Sequence, residues 1–367
     1  MLVKTIVLLL LLPIYLLSCT PEEQPITKEE AIAFAQRLET SIANGHSQLF
    51  DSIFANQAFA DHIAKEAGEA MDKSYVKGLV VALQEKKIGR EMLKNMGSDA
   101  TYEFLHHYEK DKHHHLLFRI YGDAGINYHD LELAKFDDRI GLADMFIYLS
   151  GENISKTFIR TTSLLANHAK QESEKKMLNV AKSIQNIRNL INQQQYAEAN
   201  KLYEQLPEKI KEDKALQLMN LTVLAKLDQE KYKLALEVYN KYFGNDPAAQ
   251  FGLFDSYFLN EEYDKALNVV NVLDCTVKDP LLNYYRALIY TKMGDRENTI
   301  KYLELLNKQK PDFGDGALEL IANYIATGEN EKAENLLGVY RGNKKFDQKK
   351  LESLRYLYPY FAPLSQP

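Results

Sequence analysis

Residues 280–311 read PLLNYYRALIYTKMGDRENTIKYLELLNKQKP, and residues 314–341 read GDGALELIANYIATGENEKAENLLGVYR. Laid one above the other, the two stretches keep a step of 34: Tyr290 with Tyr324, Gly294 with Gly328, and Thr299 with Ala333. The marks continue upstream. Tyr257 precedes Tyr290 by 33 residues, and Ala199, Ala235, Ala266 and Thr299 follow one another at 36, 31 and 33. Pro247, Pro280 and Pro311 recur at 33 and 31. A fixed period of this length is the mark of stacked supersecondary units. Each copy spells two helices. Ala at their crossing lets them approach, where a bulky side chain would cost about 1–3 kcal/mol by overpacking. Gly in the turn accepts φ > 0, and Pro starts the next helix or blocks continuation of the last. One such pair cannot hide its apolar face, whereas stacked pairs can.

These marks resemble the tetratricopeptide repeat. Gln195-Tyr196 with Ala199 and Tyr203 carries the second-helix pattern once, and Lys231-Tyr232 with Ala235, Tyr239 and Pro247 carries it again. Glu262-Tyr263 with Ala266 is a third copy, Gly294-Asp295 with Thr299, Leu303 and Pro311 a fourth, and Gly328-Glu329 with Ala333 and Leu337 a fifth. In the second copy Lys226 stands where the family places an aromatic, so its first helix is shifted or longer. A generic stack of helical hairpins is the other reading. Phe346–Tyr360 is the expected closing helix.

The resemblance implies that the first helix of each pair lines a groove. Its positions here are Phe251, Asp255 and Phe258, then Tyr284, Leu288, Thr291 and Lys292, then Leu318, Ala322 and Ile325. That set is apolar and aromatic, unlike the basic clamp that holds chaperone carboxylate tails. It suits a partner helix, an extended apolar segment, or the chain's own first domain. Ordinary packing between repeats is the competing reading of each residue.

Residues 27–165 read as an α+β domain. Thr27-Lys28-Glu29-Glu30 fits a capping box, followed by Ala31, Phe34, Ala35, Leu38 and Ile42 at helical spacing over about residues 28–44. Further helices are expected at about 47–66 and 74–95, the latter with Val76, Leu79, Val80, Leu83, Ile88 and Leu93 in a stripe. The period then changes to two, with aromatic-rich Tyr102–Tyr108 and strands expected at His115–Tyr121, Ile126–Phe136 and Leu142–Leu149. Asp111-Lys112 and residues 122–125 read as turns. Helices followed by an antiparallel meander resemble the NTF2-like cone fold, whose members range from isomerases to protein-binding domains.

His106, His107, His113, His114 and His115 cluster around one expected hairpin. Antiparallel pairing could bring some together as metal ligands. Three consecutive histidines cannot share a strand face, however, and the Lys-rich turn beside them suggests solvation, so no metal is assigned. Asp137, Asp138 and Asp144 read as solvated turn acids. Tyr128, His129 and Asp130 could serve an isomerase-like pocket, but His129 must face away from both neighbours. No phosphate loop, GxSxG, HExxH or paired CxxC occurs, so neither catalysis nor a cofactor is expected.

The N-terminus has a positive start at Lys4 and an apolar run from Ile6 to Leu17. Twelve residues are too few to span a bilayer and read as a signal-peptide core. Leu16-Leu17-Ser18-Cys19 resembles the bacterial lipobox. This implies cleavage before Cys19, acylation there, and, with Thr20 rather than Asp next, delivery to the outer membrane. An ordinary secretory signal or an uncleaved anchor are the alternatives. Residues 1–18 are then the signal peptide, 19–26 the tether, 27–165 the α+β domain, 170–345 the repeat solenoid and 346–367 the cap and tail. The other cysteine, Cys275, follows an apolar run and reads as a buried thiol.

The chain has 367 residues, a net charge of −6 and no Trp. The acidic balance argues against nucleic acid, which needs a basic stripe. The expected function is a non-enzymatic, membrane-anchored lipoprotein acting as a protein-binding adaptor or assembly factor. The alternatives are a ligand or isomerase site in the first domain, or, less favoured without Trp for sugar stacking, glycan capture.

Overall fold

The computed structural model describes residues 24–53, 57–68, 78, 87–96, 100–122, 125–136, 138–171, 174–343 and 346–365. The leader with Cys19, the tether up to residue 23, Val76, Leu79, Val80 and Leu83 of the expected 74–95 helix, and Asp137 lie outside the described residues.

Helix α1 (Lys28–Ala43) opens on the expected capping box: Thr27 Oγ1 accepts from Glu30 N at 3.1 Å, and the Glu30 carboxylate accepts from Thr27 N at 2.9 Å. Helices α2 (Gln48–Ile53), α3 (Gln57–Ala67) and α4 (Ile88–Met96) follow. The sheet comprises β1 (Thr101–Lys110), β2 (His113–Gly122), β3 (Gly125–Phe136), β4 (Arg139–Ile147) and the two-residue β5 (Glu152–Asn153). The strands are antiparallel neighbours in chain order. Asp111 and Lys112 join β1 to β2 with φ of 51° and 69°. Positive φ at both central residues is the type I′ geometry, which matches the twist of the paired strands.

Alternation along β2 and β3 assigns two faces. Leu116, Phe118 and Leu131 pack with Phe34, Leu38, Phe59 and Ile63 of the helices. Leu117, Ile126 and Tyr128 point the other way, into a second core built with the C-terminal half. Helix α5 (Ile154–Gln171) then leads into the repeats.

Five helical hairpins follow among the described residues. They are α6 (Glu174–Asn192) with α7 (Tyr196–Glu204), then, after the short α8 (Glu208–Lys211), α9 (Lys214–Leu227) with α10 (Gln229–Phe243). A 3-10 turn (Pro247–Leu253) and α11 (Phe254–Leu259) pair with α12 (Tyr263–Val277). Next come α13 (Leu282–Met293) with α14 (Arg296–Gln309), and α15 (Gly314–Thr327) with α16 (Asn330–Arg341). Helix α17 (Gln348–Leu357) and a final 3-10 turn (Ala362–Ser365) close the stack. This is the α+β unit followed by a tetratricopeptide-type solenoid that the sequence indicated. The repeated Ala positions 199, 266 and 333 are fully buried, as the close crossing requires.

Gly294 and Gly328 end their helices at φ of 76° and 79°. Gln194 and Glu261 hold the same left-handed turn in two other copies. The second copy departs: Asp228 is extended, ends α9 and caps α10 through Glu230 N and Lys231 N. Its tighter turn accounts for the uneven spacing of Ala235 from its neighbours.

Two expectations are corrected. Cys275 is exposed, on the outer side of α12, with its thiol donating to Asn271 O at 3.4 Å. Asp144 is not a solvated turn acid. It is buried, and accepts from Met145 N at 2.8 Å, Asn153 Nδ2 at 2.9 Å and the Ser155 hydroxyl. Its alternative as a surface acid fails because β5 and the start of α5 fold over β4 and bring three donors onto it. Burial raises its carboxyl, and those donors oppose the shift.

His129 is buried beside the Tyr102 ring, at 5.9 Å between centroids, and its Nδ1 has no partner among the described residues. Burial holds its pKa down at about 4. The unfolded chain, near 6.5, therefore binds more protons between pH 4 and 6.5, so this residue makes stability rise with pH across that window. Urea unfolding should show its contribution falling by about 2 kcal/mol from pH 7 to pH 5. His129→Phe should flatten that part of the slope; an unchanged slope would assign it elsewhere.

Candidate functional site

The entry to each first helix of the array carries an aspartate. Asp213, Asp246, Asp279 and Asp312 recur at intervals of 33 residues. An aspartate there can accept the helix's unpaired N–H groups and sits favourably at the positive end of the helix dipole. Asp213 accepts from Ala215 N at 3.0 Å and Leu216 N at 3.2 Å, Asp246 from Ala248 N at 3.0 Å, and Asp279 from Leu281 N at 3.0 Å.

Each aspartate also meets a cation. Arg160 of α5 donates to Asp213, Lys214 reaches Asp246 at 3.0 Å, Arg119 of β2 reaches Asp279 at 2.6 Å, and Lys310 lies 3.9 Å from Asp312. Two of these cations belong to the α+β unit. The sheet therefore docks on the capped edge of the array, where the first helices begin.

The centre of this junction is dry. Arg119 is 2% exposed and the Asp279 side chain 0%. The second Asp279 oxygen accepts the Tyr128 hydroxyl at 2.8 Å. Arg119 also donates to Glu103, which Lys310 Nζ reaches at 2.5 Å. Around the polar centre, Tyr128 packs on Phe251 at 6.0 Å and Tyr121 meets Phe313 edge-on at 5.3 Å, its hydroxyl 3.3 Å from Asp315. Gly151 has φ of 63°, and a Cβ there would fall 1.9 Å from Ala248 O. This is a place where backbone meets backbone and only glycine fits.

The ten groove positions expected from sequence divide three ways. Phe251 lies against the sheet, and Tyr284 packs on Phe313 at 5.2 Å, beside the same contact. Leu318 and Ile325 are buried, with Ala322 against them, in the core of the last pairs. The others keep some exposure. Asp255 accepts the Tyr232 hydroxyl at 2.7 Å, and Phe258 stacks on Phe254 at 5.8 Å. Leu288 is half-buried, Thr291 Oγ1 donates to Ala287 O at 2.8 Å, and Lys292 is exposed.

The histidines sort by strand face. His115 Nδ1 lies 3.0 Å from Asp130, which also accepts the Tyr108 hydroxyl; the Tyr108 and His115 rings stack at 4.8 Å. Burial, then Asp130, pushes the Tyr108 phenol up. His113 and His62 both approach Glu132, at 3.2 and 3.6 Å. His107 and His114 meet at 2.7 Å. Tyr128 and Asp130 share a face and His129 points the other way, as strand alternation demands.

Sequence reading missed Arg119 and Asp279. The readable signal was the 33-residue aspartate series, two of whose members precede proline directly. What it could not show was that a strand arginine would bury itself on one of them.

Removing one partner of a buried pair strands the other charge, at about 3–5 kcal/mol. Asp279→Ala should lower stability by that amount in chemical unfolding, whereas Lys310→Ala, at the wetter rim, should cost about 1 kcal/mol or less. Equal costs for the two would contradict the buried centre described.

No protein-family model and no curated protein matches the chain. Among solved structures, the chain is similar to "MamA 41-end from Desulfovibrio magneticus RS-1", at 14% identity and TM-score 0.39 over 45% of this chain and 97% of that one. It is also similar to "MamA RS-1 ArsTM double mutant" (14% identity, TM-score 0.37, 49% of this chain and 97% of that one). A third is "MamA AMB-1 C2221", at 16% identity and TM-score 0.34 over 45% of this chain and 96% of that one. The assignment of helical repeats rests on the five hairpins themselves.

Proposed function

We propose that the chain is a non-enzymatic lipoprotein of a bacterial envelope, held at the outer membrane through lipid on Cys19, that acts as an adaptor for a protein partner. The observation that carries the adaptor reading is a row of exposed apolar residues on the second helices. Val238, Val272, Leu305 and Val339 follow one another at steps of 34, 33 and 34. They are exposed by 48, 61, 39 and 62%. Singly, such residues need no explanation. At equivalent positions on α10, α12, α14 and α16 they recur down the stack, and Leu234 and Tyr242 widen the row on α10. An apolar strip of this kind is a protein-interaction surface. It lies on helices other than those whose capped ends meet the sheet.

No helix among the described residues is long and apolar enough to cross a membrane. The anchor in this reading is therefore the lipid, with each buried CH₂ worth about 0.8 kcal/mol.

A photo-crosslinking residue at Val272 or Val339, in intact cells, should capture a discrete protein. Changing all four row residues to Lys should abolish capture with little change in thermal stability, since all four side chains are solvent-facing. Capture from Leu288 or Thr291 instead would move the partner to the first-helix groove, and capture from neither would end the adaptor reading. Cys19→Ala should shift the chain from the membrane pellet to the soluble fraction; retention in the pellet would refute the lipid anchor.

A further inference from the structure

The β1–β2 hairpin carries a constellation that the adaptor reading does not use. His107 and Glu109 alternate on β1 and so share a face. Glu109 pairs directly with His114, and His107 with Leu116, so all three lie on one side of the hairpin. His107 Nε2 and His114 Nδ1 are 2.7 Å apart, their rings stacked at 5.0 Å between centroids. One ligand atom from each of the three residues falls within 4.8 Å of the others. Both histidines are half-buried and Glu109 is exposed, so the site is open to solvent on one side.

We propose that His107, Glu109 and His114 form a binding site for a d-block divalent cation such as Zn²⁺. Two imidazole nitrogens and a carboxylate oxygen suit such an ion, whereas Mg²⁺ and Ca²⁺ take oxygen ligands. Two nitrogens on a tetrahedral zinc, with Zn–N near 2.0–2.1 Å, stand about 3.3 Å apart. The pair therefore has to open by only about 0.6 Å, a small change in side-chain angle. The hairpin backbone is held by its type I′ turn and by the pairing of β2 with β3, which pre-organises the ligands. Contact at 2.7 Å requires one nitrogen to hold a proton and the other a lone pair. The cation replaces that shared proton, which passes to the outer nitrogen of its own ring or to solvent. The remaining coordination position is left to water or to a group from a partner molecule.

The chemistry is that of neutral imidazole, so binding strengthens as pH rises through the histidine range. The competing cluster is on the other face, where His113 and His62 approach Glu132. His115 is already committed to Asp130.

Calorimetric titration of the purified lipoprotein in detergent with ZnCl₂ at pH 7.5, and with MgCl₂ as the contrast, tests the site. One equivalent of Zn²⁺ should bind and Mg²⁺ should not. Loss of a supporting group beyond the ligands costs about 10–100-fold in affinity, so His107→Gln and His114→Gln should each weaken binding at least about tenfold. Glu109→Gln should weaken it less, while His62→Gln and His113→Gln should leave it unchanged. Co²⁺ in place of Zn²⁺ should give the visible bands of a tetrahedral site in the wild type and not in the His107→Gln/His114→Gln double variant. Imidazole NMR of the wild-type chain guards against misfolded variants: Zn²⁺ should move the His107 and His114 signals first. Absence of saturable Zn²⁺ binding, undiminished affinity in the double variant, or first shifts at His62 and His113 would each overturn the proposal.

Discussion

The Arg119–Asp279 pair is the constraint on which the arrangement of the chain depends. An arginine on the centre strand pair of a sheet, pointing into an apolar layer, is expensive to bury: its charge loses water that only an ideally placed anion can replace. Asp279 is such an anion because its position was fixed already, by its own duty at the entrance of α13. One carboxylate thus accepts a helix N–H, a guanidinium and the Tyr128 phenol together. A slide of the sheet by one strand residue would turn Arg119 to the helical face and leave Asp279 facing an apolar side chain. The pair contributes less to net stability than to choosing one docking register from many.

That register explains why the two halves share a core. A meander with helices on one side only has a second face to cover, and an array of helical hairpins has an edge of capped helix starts to cover. Each supplies the other's cover. Leu117, Ile126 and Tyr128 join Phe254, Tyr257 and Leu281 in one buried cluster, and α5 runs from the sheet to the first hairpin. Polar contacts ring this cluster: Arg160 with Asp213 at one side, Lys310 with Glu103 at the other.

Much of the local structure was legible from residues because it is decided locally. The capping box at Thr27 and Glu30, the two-residue turn at Asp111-Lys112 and the 34-residue step all depend on neighbours within a few positions or on simple repetition. Asp144 and Cys275 were misread for the opposite reason. An acid near a turn is usually wet, but here β5 and α5 return over it, and nothing in the residues around Asp144 announces that return. Cys275 follows an apolar run, yet α12 turns it outward while Val270, Leu273 and Val277 take the core. Periodicity tells which residues share a side of a helix, not which side the next element covers. The groove positions show the same limit: Phe251 and Phe258 lie one and a half turns or so apart on one segment, and only the first meets the sheet.

Docking along the capped edge has a mechanical consequence for recognition. Stacked hairpins touch only their neighbours, so an isolated array bends as small rotations add from one repeat to the next. Here the sheet unit grips four successive entries: Asp213 through Arg160, Ala248 through Gly151, Asp279 through Arg119, and Phe313 through Tyr121. Relative rotation of the middle repeats would have to break at least one buried contact. The spacing between Val238, Val272 and Leu305 is thereby fixed before any partner arrives. A surface already held in its binding geometry loses less conformational entropy on association. The α+β unit then serves the array as a splint, and its own chemistry is free to concentrate at the outer hairpin, where His107 and His114 stand clear of the junction.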